Sequence, residues 1–195
     1  MPVPTPTVVR PQRADARRNR ERILVAAKKV FAELGAEAHM EVVARRSGVG
    51  VGTLYRHFPT KEDLLGELVA EQFAAFADQA RSSLASVDDP WEALAGTLRA
   101  NAQLASENLA VQHAITGSEV NWERVEAVRN DLLSVTEQLV ERAHAAGVVR
   151  DDLDVSDIPT VMCGLCSTMG ATRGDGTPQD WRRHLEILLD GMRAR

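Results

Sequence analysis

Between Ala44 and Lys61 the chain brings together Arg45, Arg46, Gly48, Gly50, Gly52, Thr53, Tyr55, Arg56, His57 and Lys61. Guanidinium, ammonium, phenol and imidazole groups donate hydrogen bonds to phosphate oxygens, and a threonine beside a glycine reaches a base edge or a thymine methyl where backbone comes close. The alternating glycines also invite reading as a nucleotide-phosphate loop. That loop requires a preceding strand, whereas the residues before Gly48 follow a helical pattern with two arginines. Catalysis is not indicated either: His39, His57, His113, His144 and His184 are scattered, and none falls in a nucleophile or metal pattern. No enzyme activity, cofactor or metal is expected.

Charge supports duplex contact. From Arg10 to Lys61 there are 12 Lys/Arg against 5 Asp/Glu, a formal +7, which leaves −12 for the other residues of a chain whose net charge is −5. A basic block in an acidic protein is a local footprint for a polyanion. No stretch approaches a membrane span, and the start, Met1-Pro2-Val3-Pro4-Thr5-Pro6, lacks the basic and apolar run of a signal peptide, so a cytoplasmic protein without membrane partners is expected. Cys163 and Cys166 share a helical apolar stretch, where small core residues are a better reading than a redox pair or half a metal site.

The elements that must position these groups are all helical, and the expected fold class is all-α. Residues 1–16 carry four of the eight prolines and no periodicity, the pattern of a disordered arm. Ile23, Ala27, Val30, Phe31 and Leu34 mark a first helix stopped by Gly35, and Met40, Val43 and Ala44 a second, closed by Ser47-Gly48-Val49-Gly50. A third spans about Val51 to His57. Thr60-x-x-Asp63 caps a fourth that runs to about Leu84, and Asp89-Pro90 opens a fifth. Residues 109–120 are ambiguous. A long amphipathic helix fits 121–146, and two more fit 156–172 and, from a Thr177-Pro178-Gln179-Asp180 capping box, 178–194. Val148-Val149 is too short for a strand.

Three short helices with a glycine turn between the second and third suggest a helix-turn-helix whose third helix enters the major groove. The run Ala-Arg-Arg-Ser-Gly-Val-Gly-Val-Gly-Thr-Leu-Tyr-Arg-His-Phe-Pro-Thr-Lys-Glu-Asp-Leu-Leu, Ala44 to Leu65, closely resembles the signature of the tetracycline-repressor (TetR) family of transcription regulators, and the resemblance covers about Arg18 to Leu68. It implies a DNA-binding set of Arg45, Gly50, Val51, Gly52, Thr53, Tyr55, Arg56, His57 and Lys61. Within it Tyr55, His57 and Lys61 hold phosphates, and Val51, Gly52, Thr53 and Arg56 are left for base reading. Val49, Leu54 and Phe58 suit anchoring of the turn and third helix. The chain departs from the family at the start of helix two, where Ala38 and His39 stand in place of a capping Thr or Ser that touches a phosphate. Arg17, Arg18, Arg20 and Arg22 follow either the DNA backbone or solvent.

For the remainder the resemblance implies an effector pocket among helices four to eight and dimerisation through the last two. The apolar stripes Ile158/Val161/Met162/Leu165/Met169 and Trp181/Leu185/Leu188/Met192 fit a four-helix seam between two copies. Pocket candidates are Phe73, Phe76, Trp91, Asn101, Leu104, His113, Trp122, Met162 and Met169, which favour an apolar or aromatic small molecule. The expected organisation is an arm (1–16), a helix-turn-helix domain (17–62) and an effector-binding and dimerisation domain (63–195). The expected function is that of a homodimeric repressor on a pseudo-palindromic operator, released by its effector; the alternative is an effector-independent DNA binder with a fully packed body.

Overall fold

A computed structural model describes residues 10–35, 38–109, 111, 120–172 and 174–194. Among them are eight helices: α1 (Arg10–Leu34), α2 (Met40–Ser47), α3 (Val51–His57), α4 (Lys61–Ser86), α5 (Pro90–Glu107), α6 (Trp122–Ala145), α7 (Asp157–Ser167) and α8 (Trp181–Met192). No strand occurs among the described residues, only the isolated antiparallel bridges Val149 to Arg193 and Thr172 to Pro178.

Most boundaries follow the expected chemistry. Thr60 Oγ1 accepts from the Asp63 N–H at 3.0 Å and starts α4, while Asp89 accepts from the Glu92 N–H at 2.8 Å in front of Pro90. Two boundaries differ. Helix α1 begins at Arg10, so residues 10–16 are helical and not an arm; Pro11 lies in the first turn, where its missing N–H removes no helix hydrogen bond. The last helix starts at Trp181 because Thr177 is engaged elsewhere, its N–H and hydroxyl both bonded to Asp175 Oδ1. Asp180 caps the helix instead.

Two apolar cores result, and α4 belongs to both. In the first, Ile23, Val30 and Phe31 of α1 meet Val43 of α2, Leu54 and Phe58 around α3, and Leu64, Leu65, Leu68 and Val69 of α4, closed by Val111, Val120 and Val125. In the second, α5 lies at the centre, with Ala93, Leu94, Ala95, Leu98 and Ala102 buried on almost every side, as a helix wrapped by neighbours must be. Helices α4, α6, α7 and α8 surround it, and Arg99 ties α5 to α8 through Glu186 with two 2.8 Å hydrogen bonds.

The expected seam residues need correction here. Ile158, Leu165, Met169, Leu185 and Met192 are buried inside the single chain, which covers them with α5 and with each other. Only Val161, Met162, Trp181 and Leu188 of the two stripes remain part-exposed, beside Ile187, which the stripe reading passed over and which is 58% exposed. The amphipathic period was right, but one chain has enough partners to bury these faces.

Where the two cores join, the buried Asp63 carboxylate accepts from Asn121 Nδ2 at 3.0 Å and pairs with Arg124 Nε at 2.8 Å, while the Asn121 N–H reaches Glu62 O at 3.3 Å. Gly66 permits this approach: a Cβ there would stand 3.1 Å from Asn121 O. The Asn121 hydrogen bond foremost, with Thr60 and Arg124 assisting, holds the Asp63 carboxyl below the usual carboxylate range. Its stabilisation is therefore present above that range and lost as pH falls through the lowered folded value. Replacing Asp63 with Ala strands Asn121 and Arg124 and is expected to cost about 1–3 kcal/mol. Thermal melts of wild type and Asp63→Ala at neutral pH and near pH 3 check this, with the Tm gap expected to narrow in acid.

Candidate nucleic-acid interface and body cavity

The turn after α2 depends on one left-handed residue. Gly48 takes φ +67° and returns its N–H to the carbonyls of Ala44 and Arg45, and the Val49 N–H bonds Ala44 O at 3.2 Å. Gly50, with φ −65°, is an ordinary N-cap of α3. The positive φ expected of the turn glycines thus falls on Gly48 alone of the three. Arg22 Nη2 of α1 holds the turn by donating to Gly48 O at 3.2 Å.

Leu54 and Phe58 are buried and Val49 is half-buried, so the inner face of α3 is fixed as its spacing predicts. The outer face then presents Val51 (44% exposed), Gly52, Tyr55 (39%) and Arg56, with Thr53 half-buried at its edge. Nothing lies within 4 Å of a Cβ built on Gly52, which leaves its backbone open to close approach. Helix α2 starts at His39 without a side-chain cap, and Ala38 is buried, so neither supplies the hydroxyl common at this position in the family resembled.

Many cations of the basic block are already engaged, within it or with α4. Arg20 pairs with Glu67, Lys28 with Glu71, Arg46 with Glu33 at 2.6 Å, Arg17 with Glu21 and Arg18 with Asp15. Lys61 Nζ stands 5.8 Å from the centre of the Phe31 ring at the start of α4. Arg45 and Arg56 are exposed and enter none of the ion pairs among the described residues. His57 is half-buried, and burial, then the charges of Arg56 and Arg20, lower its pKa, so the ring is neutral at pH 7.

One residue of this face escaped sequence reasoning. Glu41 of α2 accepts from the Tyr55 hydroxyl at 3.1 Å. The bond raises the Tyr55 pKa, and Glu41 is held low by its own backbone N–H first and by Tyr55 second. No spacing rule pairs a residue of α2 with one fourteen positions later on α3; the turn geometry does so.

The body holds a cavity of about 110 Å³ between α4, α5, α6 and α7. Phe73 and Phe76 of α4, with ring centres 6.3 Å apart, form one wall, and Leu94, Leu98 and Asn101 of α5 another. Leu132, Thr136 and Leu139 of α6 and Ile158, Met162, Cys163 and Cys166 of α7 complete it. Four of the nine pocket candidates, Phe73, Phe76, Asn101 and Met162, therefore meet there. Trp91 is buried elsewhere in the core beneath Arg193, and Leu104 and the buried Met169 are not part of the lining. Trp122 stands 39% exposed at the start of α6, and His113 lies outside the described residues. The α6 lining and, apart from Met162, that of α7 were missed because period alone does not separate cavity wall from packed core.

The cysteines are free. Burial pushes both thiols up, Cys166 to about 12, so they stand protonated as small apolar wall groups. Thr97 and Thr136, also in the lining, donate their hydroxyl protons to Ala93 O and Leu132 O at 2.7 Å. Asn101, 7% exposed, keeps its Oδ1 buried without a hydrogen-bond partner.

Comparison with known proteins places this arrangement. Residues 23–68 match the family profile described as bacterial regulatory proteins, tetR family, and residues 66–194 match that of the transcriptional regulator SbtR-like C-terminal domain. An HTH-type transcriptional regulator of Staphylococcus aureus (strain bovine RF122 / ET3-1) is 34% identical over 104 residues, 53% of this chain and 56% of that protein, so the match spans about half the length of this curated relative. Among solved structures, a TetR transcription regulatory protein from Mycobacterium vanbaalenii is 32% identical, with TM-score 0.63 over 94% of this chain and 100% of that one. A TetR transcriptional regulator from Streptomyces coelicolor is 34% identical, with TM-score 0.60 over 90% and 98%. The regulator FadR from Bacillus subtilis, solved in complex with stearoyl-CoA, is similar in fold at 20% identity, with TM-score 0.69 over 88% and 98%.

Glu41 places a negative charge beside the outer face of α3, the face the family resemblance assigns to DNA. Glu41→Gln is expected to tighten binding to any duplex severalfold at low salt, and less as salt screens the lost charge. Anisotropy titrations of both proteins with one duplex at two salt concentrations check this; an unchanged or weaker variant would assign Glu41 to holding Tyr55 in place.

Proposed function

Because this chain belongs to the TetR family of bacterial regulatory proteins, DNA-binding transcriptional regulators and not enzymes, we propose that it is a homodimeric repressor released from a pseudo-palindromic operator by a small apolar or aromatic effector. The observation that carries this reading is the span of α4. Its first turns, Leu64 to Val69, pack in the core beneath the helix-turn-helix, and Phe73 and Phe76 further along line the cavity. A molecule in the cavity bears on the helix that carries the head. It favours release only by binding a DNA-incompetent placement of the heads more tightly than the competent one.

In this reading residues 17–62 are the DNA-binding domain and 63–195 the effector and dimerisation domain, hinged along α4. Arg45, Gly50, Tyr55, His57 and Lys61 serve the DNA backbone, and Val51, Gly52, Thr53 and Arg56 the bases, supported by the exposure of the outer α3 face. The stearoyl-CoA of the Bacillus subtilis neighbour supports an effector in this fold, though an acyl-CoA is far larger than a cavity of about 110 Å³. The dimer face is then the outer surface of α7 and α8, where Val161, Gly164, Thr168, His184, Ile187 and Leu188 border a shallow groove.

The experiment is to select bound duplexes from genomic DNA, titrate the best with protein over a range of salt, and repeat with a panel of neutral aromatic compounds. Affinity is expected to fall steeply with salt, reflecting several phosphate contacts per dimer, and to fall again with one class of compound. Specific binding that no compound weakens would favour the effector-independent alternative. Lys61→Ala is expected to weaken all sequences alike, whereas Arg56→Ala alters which bases are preferred. A Lys61→Ala protein that changed preference at full affinity would reverse these roles.

The dimer has its own test. Ile187→Glu with Leu188→Glu puts two charges into the proposed interface while sparing Leu185, which the chain needs for its own core. Sizing chromatography is expected to show a folded monomer with operator affinity reduced at least 100-fold, because a single head makes a half-site's contacts. A folded, dimeric variant of full affinity would place the interface elsewhere.

A further inference from the structure

We infer that the body cavity takes a compact neutral ring bearing one hydroxyl, a ligand of the phenol class, with that hydroxyl on the Asn101 carboxamide. The inference rests on the reading of this cavity as the effector site and adds the chemistry of its occupant.

Size comes first. A volume of about 110 Å³, open on the side of the exposed Cys163, is of the order of the roughly 150 Å³ apolar cavities that hold benzene. The walls match a flat ring: Phe73 and Phe76 on α4, Leu94 on α5, Leu139 on α6 and Met162 on α7.

Charge comes second. Among the described residues no Lys, Arg, His, Asp or Glu side chain lines the cavity, and its two thiols are protonated. A carboxylate or phosphate would lose hydration on entering without meeting a counter-charge in this lining. The ligand is therefore uncharged.

Polarity comes third. Thr97 and Thr136 give their hydroxyl protons to Ala93 O and Leu132 O on their own helices, so they offer only lone pairs. Asn101 is the polar lining group whose needs are unmet, with Oδ1 buried and unpartnered among apolar neighbours. A half-turn of its terminal torsion exchanges the amide oxygen and nitrogen. A hydroxyl, donor and acceptor at once, pairs with the amide in either orientation. A hydrocarbon leaves the amide orphaned, and an ether oxygen meets only its N–H.

The test uses the full chain and four probes of similar size: phenol, toluene, anisole and benzoate. Calorimetry and thermal melts of the wild type are expected to show phenol bound roughly tenfold more tightly than toluene or anisole, with no shift from benzoate. In Asn101→Leu, toluene is expected to equal or exceed phenol. Met162→Trp, which fills the cavity from α7, is expected to abolish binding of every probe and so excludes binding elsewhere. The wild-type comparison stands even if Asn101→Leu fails to fold. Toluene binding as well as phenol, with both lost in Met162→Trp, would overturn the hydroxyl assignment and leave the effector reading intact. No binding by any probe would overturn both. Phenol bound in the cavity without change in operator affinity would uphold the site's chemistry and overturn its part in release.

Discussion

The N-terminus of α4 is where the two halves of the molecule are joined, and a single buried carboxylate holds the join. Asp63 is the third residue of a helix capped by Thr60, so it lies where the helix dipole favours an anion, and it accepts from Asn121 while pairing with Arg124. The start of α6 is thereby fixed against the start of α4, at a distance that Gly66 allows. A glycine inside a helix costs up to about 1 kcal/mol relative to alanine. Here it is offset by a contact that an alanine methyl would press to 3.1 Å.

From that point α4 serves as a lever. It shares one core with α1, α2 and α3 and a second with α5, α6 and α7, and Arg142 of α6 holds its far end by donating to Val87 O at 2.7 Å. Lys61 and Phe76 are fifteen residues apart, about 22 Å along a helix. In the effector reading, a tilt imposed at the phenylalanines would be carried along the helix to the head, and because packed cores resist continuous deformation it would have to resolve into discrete placements.

Electrostatics at the head are more restrained than its formal +7 suggests. Arg20, Lys28 and Arg46 are each matched to a glutamate, two of them on α4, so these pairs position the head on the body. Exposed pairs of this kind contribute little stability, but they reduce the charge free to meet a duplex. Arg45 and Arg56 keep theirs, and the Tyr55 hydroxyl is held by Glu41. Desolvation, then the charges of Arg56 and Arg20, lower the His57 pKa, so its ring adds no charge to this face at pH 7.

By itself the sequence determined the all-helical class, the helix-turn-helix and the residues on its outer face. These follow from local rules: apolar period, caps such as Thr60 and Asp89, the left-handed glycine at 48, and a motif of dense spacing. Of the nine body residues it offered for a pocket, Phe73, Phe76, Asn101 and Met162 line the cavity. Only the tertiary structure decided what depends on several helices at once. Ile158, Leu165 and Leu185 have the period of an interface and yet are buried within one chain, because amphipathicity shows that a face will be covered and not by what. Thr177 carries a helix-start pattern but is taken by Asp175. The Tyr55–Glu41 bond, the Asp63 clasp and the orphaned amide of Asn101 join residues whose separation in the chain has no period, so their chemistry arises from packing alone.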